Sequence, residues 1–490
     1  MTTDCRTQVT LWKNGRQEVH VDFSGGRIVS DAGLLAVRDF DRQLGIVSGL
    51  AQALPDPRSQ KYVQHSREAI LTQKVYQILA GYADCNDAQV LRHDPLFQTL
   101  VGVAADAEQP LASGSTLARF QYAYTRRQAD LPVEERPVLL EQQAALNQRL
   151  VILNDYLVDL FIRTRRQPPP YLILDVDPSD DPTHGRQVLS GYHGYFGQHQ
   201  YFPLYVFAAG TGFPLAAWLR PGTVHASCGA VSILRGLLAK LRQAWPHVLI
   251  LVRGDSGLAV PELYEFCEQE GLLYAFGYAS NAVLKARTEP LLADLEAYYH
   301  WYGRREPAVQ RFESIDAYQA ASWTRPRRII AKIEINPLGS NRRFVVTNLT
   351  GQPQGIYHGF YVQRGDVPES PIGELKNGLR GDRLSAHRFR ANALKLLEHT
   401  LAYALVVLYR EAVAEAVPEM ARAEVATWRQ RLWKVGARVV TTARRLWFQF
   451  SESWPFRDLW LRAHQGVQAF VQAVRQRGTA AFVPAPLPPM

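Results

Sequence analysis

The spacing of apolar residues changes twice along the chain. From residue 31 to about 165 it is helical, as in "DAGLLAVRDFDRQLG", "SREAILTQKVYQILAGYAD" and the long "VLLEQQAALNQRLVILNDYLVDLFIRTRR". Asp31 and Ser66 precede the first two runs and are the predicted N-caps. A short β-like start ("TQVTLWKN", "QEVHVDFSGG") comes before them, and "SGSTLARFQYAYTRR" predicts a short capped helix ending in a basic pair. The prolines of "QPPP", 167–170, stop the last helix and mark the sharpest boundary in the chain.

Beyond them short apolar runs alternate with helical ones. "YLILDVD" predicts a strand, "YFPLYVFAA" and "FPLAAWLRPG" a hairpin turning at "GTG", and "CGAVSILRGLLAKLRQAW" a helix. "HVLILVRGD" is a second buried strand, "VPELYEFCEQEG" a helix closed by Gly271, and "LLYAFGY" another strand. The order β-β-β-α-β-α-β predicts a mixed sheet with helices on its faces. From about 280 to 350, "RRIIAKIEI" and "RRFVVTNL" predict a β-rich insertion. Residues 390–490 read as helical and basic, with eleven Arg or Lys against three acids between 421 and 480. The tail "FVPAPLPPM" is extended and proline-rich.

Composition narrows the class. A hydrophobic content of 47% and a charged content of 21% are those of a folded protein, and 490 residues exceed one compact core. The net charge of +9 favours an anionic partner, nucleic acid before a membrane surface. Four cysteines lie far apart with no CxxC pair, which argues against a disulfide framework or a zinc site and for a reducing compartment. The N-terminus has no apolar signal core, and runs such as "LAYALVVLY" fall short of the roughly 20 residues of a membrane span. The expectation is a soluble intracellular protein without a membrane segment.

The chemistry concentrates at strand ends. Asp175 and Asp177 close the first buried strand and, two residues apart, project from one face. Like charges this close need a cation or another partner. Asp255 ends the second buried strand, and if the two strands are neighbours Asp177 and Asp255 can face one another. Carboxylates suit a divalent cation such as magnesium. Two such ions can activate a water or a DNA 3′-hydroxyl for in-line displacement at phosphorus. A further carboxylate is then expected from the helix after the insertion.

That stretch is "YVQRGDVPESPIGELKNGLRGDR", 361–383, where the spacing Tyr361-x2-Arg364-x4-Glu369-x6-Lys376 resembles the Tyr-Arg-Glu-Lys signature of bacterial DDE transposases. The family's usual Arg-to-Glu gap is three residues; here it is four. With "LDVDPSDDPTHG", "GYHGYFGQHQYFPLYVF", "VRGDSG" and "DRLSAHRFRANALKLLEHTLAYAL", the chain resembles the DDE group-1 transposases of the insertion-sequence 1380 family, from about 170 to 450. The resemblance implies a ribonuclease H-like α/β core at 168–390 with a β-rich insertion at about 280–350. It would be flanked by a mostly helical DNA-binding region at 1–167 and a basic helical region at 391–490.

The same resemblance implies the residue roles. Asp177, Asp255 and Glu369 would be the catalytic acids and ligands of Mg2+ or Mn2+, two ions in all. Asp175 competes with Asp177 and could join it as a metal ligand. Pro368 and Pro371 bracket Glu369 and can delay the helix to 371, which leaves Glu374 as the alternative third acid. Tyr361, Arg364 and Lys376 would bind phosphates, or else form ordinary salt bridges. Asp180 and Asp181 read as turn acids, and His184 as a loop histidine or a DNA contact. "WRQRLWKVGARVVTTARRLWFQF" interleaves Trp428, Trp433 and Trp447 with basic residues that include Arg444 and Arg445. This is either a DNA-binding surface or a core edge whose arginines reach solvent.

The function implied is transposition. The protein would bind the terminal inverted repeats of its element, cut the ends and join the 3′-hydroxyls to target DNA. It would act as a homodimer on paired ends, in a bacterial cytoplasm in association with the nucleoid. Two alternatives have the same residues: a metal-dependent nuclease without strand transfer, and a domesticated DNA-binding protein with inert acids.

Overall fold

The computed structural model describes residues 8–56, 58–104, 109–123, 148–165, 167–301, 308–365 and 371–476. An exposed hairpin of β1 (Val9–Asn14) and β2 (Gln17–Val21) comes first, followed by the short strand β3 (Ile28–Val29). Helices α1 (Leu34–Leu44), α2 (Ile46–Ala53), α3 (Arg67–Ala80), α4 (Ala88–Leu91), α5 (Pro95–Val101), α6 (Gly114–Ala123) and α7 (Gln148–Thr164) then fill the N-terminal third. Ser66 caps α3, its Oγ accepting from the Ala69 N–H at 3.1 Å. Asp31 does not cap α1, which starts at Leu34 behind Gly33. A Cβ on Gly33 would lie 1.8 Å from the Leu432 carbonyl oxygen, so the two segments pack backbone to backbone. That approach buries Asp31, which accepts from the Ser30 hydroxyl at 2.6 Å and pairs with Lys434 at 3.2 Å.

The central sheet carries the predicted order. It contains β4 (Tyr171–Pro178), β8 (Leu204–Ala208), β9 (Phe213–Trp218), β10 (Leu249–Gly254) and β11 (Leu273–Tyr278). Between β4 and β8 the chain makes a small separate sheet of β5 (Asp181–Pro182), β6 (Gly191–His193) and β7 (Gln198–Tyr201). In the large sheet the strands lie in the order β9-β8-β4-β10-β11. β10 runs parallel to both β4 and β11, and β8 antiparallel to β4 and β9. This 3-2-1-4-5 arrangement defines a ribonuclease H-like core. Helix α8 (Ala230–Ala244) connects β9 to β10, and α9 (Pro261–Gln269) connects β10 to β11.

The insertion is not all β. It opens with α10 (Ala282–Trp301), a helix that the internal Pro290 conceals in the sequence. Leu284, Thr288, Leu292 and Leu295 form its buried stripe. Strands β12 (Val309–Tyr318), β13 (Arg327–Asn336) and β14 (Gly339–Thr347) follow, and β14 pairs antiparallel with β11. The insertion thus extends the core sheet to eight strands.

In the C-terminal part, α11 (Phe389–Val413) is long and apolar enough to cross a membrane, yet 94% of its apolar window is buried against protein. Helix α12 (Val425–Trp428) and the two strands β15 (Ala437–Thr441) and β16 (Leu446–Phe450) precede α13 (Arg457–Arg475). The helical reading of 437–450 is therefore corrected. Val439, Val440 and Thr441 are β-branched, favour strand, and pair with the Trp447–Phe448 side of a hairpin. β15 also pairs with β3, Ala437 opposite Val29. One hydrophobic core runs from Val29 to Val471 and joins both ends of the chain to one face of the sheet. A smaller core on the other face contains Leu251, Ala275, Ile330, Tyr357 and Phe360.

Candidate active site

Alternation along β4 sorts its residues. Leu172, Leu174 and Val176 point into the main core, while Tyr171 and Ile173 pack on the smaller one. Asp175 and Asp177 continue that second row toward the carboxyl end of the strand. On the neighbouring β10, Ile250 and Val252 face the main core and Leu249 and Leu251 the smaller one, so Arg253 and Asp255 complete the matching row. Arg253 is in register with Asp175. Two more residues along each parallel strand bring Asp255 level with Asp177. The two acids share one face at one end of adjacent strands.

Asp175 is occupied. The Arg253 Nε and a terminal nitrogen donate to its two oxygens at 2.6 and 2.8 Å, and the other terminal nitrogen donates to the Phe360 carbonyl at 2.6 Å. Burial pushes the Asp175 carboxyl up, and the two bonds from Arg253 oppose that shift and favour the ionised form.

Among the described residues Asp177 has no comparable partner. Its nearest cation is the Arg364 guanidinium at 3.7 Å, and 26% of its side chain is accessible. Loss of solvent pushes its carboxyl up to about 6; Arg364 pulls it down, and the charges of Asp175 and Asp255 push it further up. Asp255 ends β10 and caps the single turn Ser256–Leu258, one oxygen accepting from the Gly257 N–H at 2.9 Å. Tyr361 closes the group. Its hydroxyl lies where a Cβ on Gly277 would be, 2.5 Å away, and the Arg364 guanidinium sits 5.7 Å from its ring centre. Asp177, Asp255, Tyr361 and Arg364 are thereby brought together.

The segment that carries the third acid is not a continuous helix. A wide helical turn, Gly355–Tyr361, passes into the tighter Val362–Gly365, and helical structure resumes at Pro371. Glu369 lies outside the described residues. Glu374 is buried, accepts from both terminal nitrogens of Arg410, and accepts from the Tyr403 hydroxyl at 3.2 Å. It lines a cavity of about 520 Å3 with Tyr171, Ile173, Arg253, Phe360 and Arg410. Asp177 does not line that cavity. Lys376 reaches the other way and binds the carbonyl of Asp180 and, at 3.0 Å, its carboxylate.

Several sequence-level assignments change. Asp180 is a link: besides Lys376 it accepts from Gln198 on β7 at 2.9 Å. Among the described residues Asp181, which is buried, has no hydrogen-bond partner on either oxygen, and burial holds its carboxyl well above the usual range. His184 is exposed. Trp428 and Trp433 are core residues, their ring centres 6.4 Å apart. Trp447 is half exposed on β16, and Arg444 and Arg445 are exposed at the β15–β16 turn. Arg253 was missed by sequence reasoning. Its signal was the cation two residues before Asp255, matching the two-residue step between Asp175 and Asp177.

Among the described residues no three His, Cys, Asp or Glu side chains converge as a metal site. Two carboxylates do share the strand ends, and they are hard oxygen donors. Burial raises the Asp177 carboxyl and the charges of Asp175 and Asp255 raise it further, a cost that a divalent cation relieves. The pair fits such an ion and requires a further ligand from elsewhere.

The fold is a ribonuclease H-like sheet with carboxylates at the ends of its first and fourth strands. The comparison with protein families narrows this: residues 12–472 match the family described as transposase DDE domain group 1, and the chain belongs to it. The protein is a DNA transposase by family, and divalent metal ions are general to DDE transposases. No curated protein matches the chain. Among solved structures, a piggyBac transposase synaptic complex with hairpin DNA is similar to it, at 12% identity and a TM-score of 0.42, over 93% of this chain and 84% of that one.

Proposed function

We propose that the protein binds the terminal inverted repeats of a bacterial insertion sequence, cuts the ends and joins the 3′-hydroxyls to target DNA. The observation that carries the reading is the pair Asp177 and Asp255, on one face at the carboxyl ends of two adjacent parallel strands. With Glu369 they would hold Mg2+ or Mn2+, as two ions. Bound there, the metal would lower the pKa of the attacking hydroxyl and stabilise the leaving oxygen.

The chain's own side chains do the rest. Asp177 and Asp255 supply negative charge at the strand ends. Arg364, beside Asp177, is placed to neutralise a phosphate as it approaches the acids; its guanidinium lies over the Tyr361 ring, whose hydroxyl packs on the Gly277 backbone. Lys376 fixes Asp180 and so the chain leaving β4. Arg444 and Arg445, exposed on the C-terminal hairpin, contribute to DNA affinity, as does the N-terminal helical region. A homodimer on paired ends is the assembly that both joining reactions require.

The test uses a pre-cleaved element end and a plasmid target with magnesium. The intact protein yields joined product, while Asp177→Asn and Asp255→Asn bind the end and yield none. Cleavage without joined product identifies a nuclease instead. Full activity in both variants removes the acids from the chemistry.

A further inference from the structure

The small sheet beside the strand-end acids ends in an aromatic tip with no part in the reading above. The β6–β7 hairpin exposes Tyr195 at 87%, Tyr192 at 57% and Phe196 at 38%. Large rings left in solvent are a liability unless they meet a partner. Tyr192 rests on His199 across the hairpin, ring centres 5.7 Å apart, and the other two belong to a separate ring cluster. Tyr195 and Phe196 have centres 5.0 Å apart, Phe196 and His193 are 5.1 Å apart, and His193 and Phe202 are 5.0 Å apart. The ring cluster ends on the Arg220 guanidinium, 5.0 Å from the Phe202 ring centre.

Its root is fixed to the candidate active site in two places. Arg220, fully buried, donates to the Phe202 carbonyl at 2.7 Å and to the Ala226 and Cys228 carbonyls at 2.7 and 2.9 Å. Ala226 in turn packs on Gly257, whose own N–H holds Asp255; a Cβ on Gly257 would come within 2.7 Å of it. On the other side Gln198 of β7 donates to Asp180, the residue that Lys376 binds. Strand β5 pairs with β7, Asp181 opposite Tyr201, so the hairpin continues from the end of β4 that carries Asp177.

Charge selects the partner. No Asp or Glu occurs from Pro182 to Gly254, and His184, Arg186 and His199 are exposed around the hairpin, where the Thr183 N–H bonds the His199 carbonyl. An acid-free, basic segment bearing exposed rings suits a polyanion that has faces to stack. In a duplex those faces are already stacked on one another; in an unpaired strand they are free. We propose that the exposed rings of Tyr192 and Tyr195 each offer a face on which unpaired DNA bases stack, on the hairpin that continues from the Asp177 end of β4. This rests on the DNA-processing reading, and it names the form of DNA held there: locally single-stranded at the reacting end.

The test needs no cleavage, so it is separable from the chemistry. The probe is a dodecamer of deoxythymidine with one central 2-aminopurine, whose fluorescence falls on stacking; the control is the duplex of the same strand. The intact full-length protein is expected to quench the single strand. The double variant Tyr192→Ala with Tyr195→Ala should bind it about tenfold more weakly, in line with the energy of base–aromatic stacking, and lose the quench. Its duplex affinity and circular dichroism should be unchanged. Tyr192→Phe with Tyr195→Phe should restore both signals, because the ring and not the hydroxyl does the stacking. Asp177→Asn should quench as fully as the intact protein, even if it proves to cleave. Unchanged single-strand affinity and quench in the alanine variant overturn the proposal. So does an equal loss on duplex, or a changed sedimentation coefficient with single-strand binding intact, which would assign the rings to a contact between protein copies.

Discussion

Asp175 and Arg253 stand opposite one another on adjacent parallel strands and close a two-bond ion pair in the protein interior. This contact separates two acids that the sequence presents as equals. One is held from below by a buried cation. The next along the same row, Asp177, has only Arg364 at 3.7 Å. A paired acid and an acid with a free carboxylate face thus stand two residues apart on one row.

The first prediction is a crossed result from that pair. Asp175→Asn leaves Arg253 buried without its partner's charge, and should lose about 3 kcal/mol of stability in urea unfolding. Asp177→Asn removes a repelled charge and should unfold no earlier than the wild type. Its end cleavage should be abolished, while folded Asp175→Asn retains some. A stable, inactive Asp175→Asn beside an active Asp177→Asn would reverse the assignment.

A second prediction distinguishes the two glutamates. Glu374 neutralises Arg410 inside the protein, so Glu374→Gln should lower stability by about 2 kcal/mol and leave cleavage by the folded fraction near normal. Glu369→Gln should have the wild-type melting temperature and no magnesium-dependent cleavage. Melting curves and end-cleavage rates on both variants decide it. An inactive Glu374→Gln at full stability, beside an active Glu369→Gln, would place the third acid at 374.

The strand order and the strand-end acids were legible because they depend on local rules. Strand-length apolar runs, a Gly-containing turn and two-residue alternation suffice to predict β4, β8, β9 and β10 and to put Asp175 and Asp177 on one face. What was not legible depends on distant partners. Nothing near Asp31 says that it will be buried beside Lys434, or near Glu374 that Arg410 will neutralise it. Likewise "RVVTTARRLWFQF" carries basic residues and aromatics that suit a helix as well as a hairpin, until β3 offers an edge to pair with. Tertiary pairing decided these cases, not propensity.

A third prediction concerns pH. Glu398 of α11 is fully buried and accepts from Gln121 of α6 at 2.7 Å. Burial raises its carboxyl to about 7, against the pull of Lys74, the Gln121 bond and Lys395. A raised folded-state value means that the folded protein holds this proton more tightly than the unfolded chain. The stabilisation is complete below the unfolded value of 4.5 and is lost as pH rises through about 7. Glu398→Gln cannot titrate. Relative to the variant, the wild type should therefore lose about 3 kcal/mol between pH 4.5 and 8. Parallel stability profiles for the two proteins over that range would show that Glu398 keeps an ordinary value.

The last prediction concerns the C-terminal hairpin. Arg444 and Arg445 sit at the β15–β16 turn, exposed, with the Arg445 guanidinium 5.8 Å from the ring centre of the half-exposed Trp447. Neither arginine forms an ion pair with a described acid, so their charge is available to phosphate. Each phosphate contact that a cation makes releases condensed counterions and adds about 0.9 to the slope of log affinity against log salt. Arg444→Gln with Arg445→Gln should flatten that slope by about 1 to 2 units for duplex DNA. The hairpin itself should persist, because β15 is held by β3 and by the buried Ala437 and Val439, and not by these side chains. Duplex affinities measured from low to physiological salt, with circular dichroism on the variant, check both halves. A slope equal to that of the wild type, in a folded variant, would take this turn off the DNA and leave the phosphate contacts to the cations around Asp177.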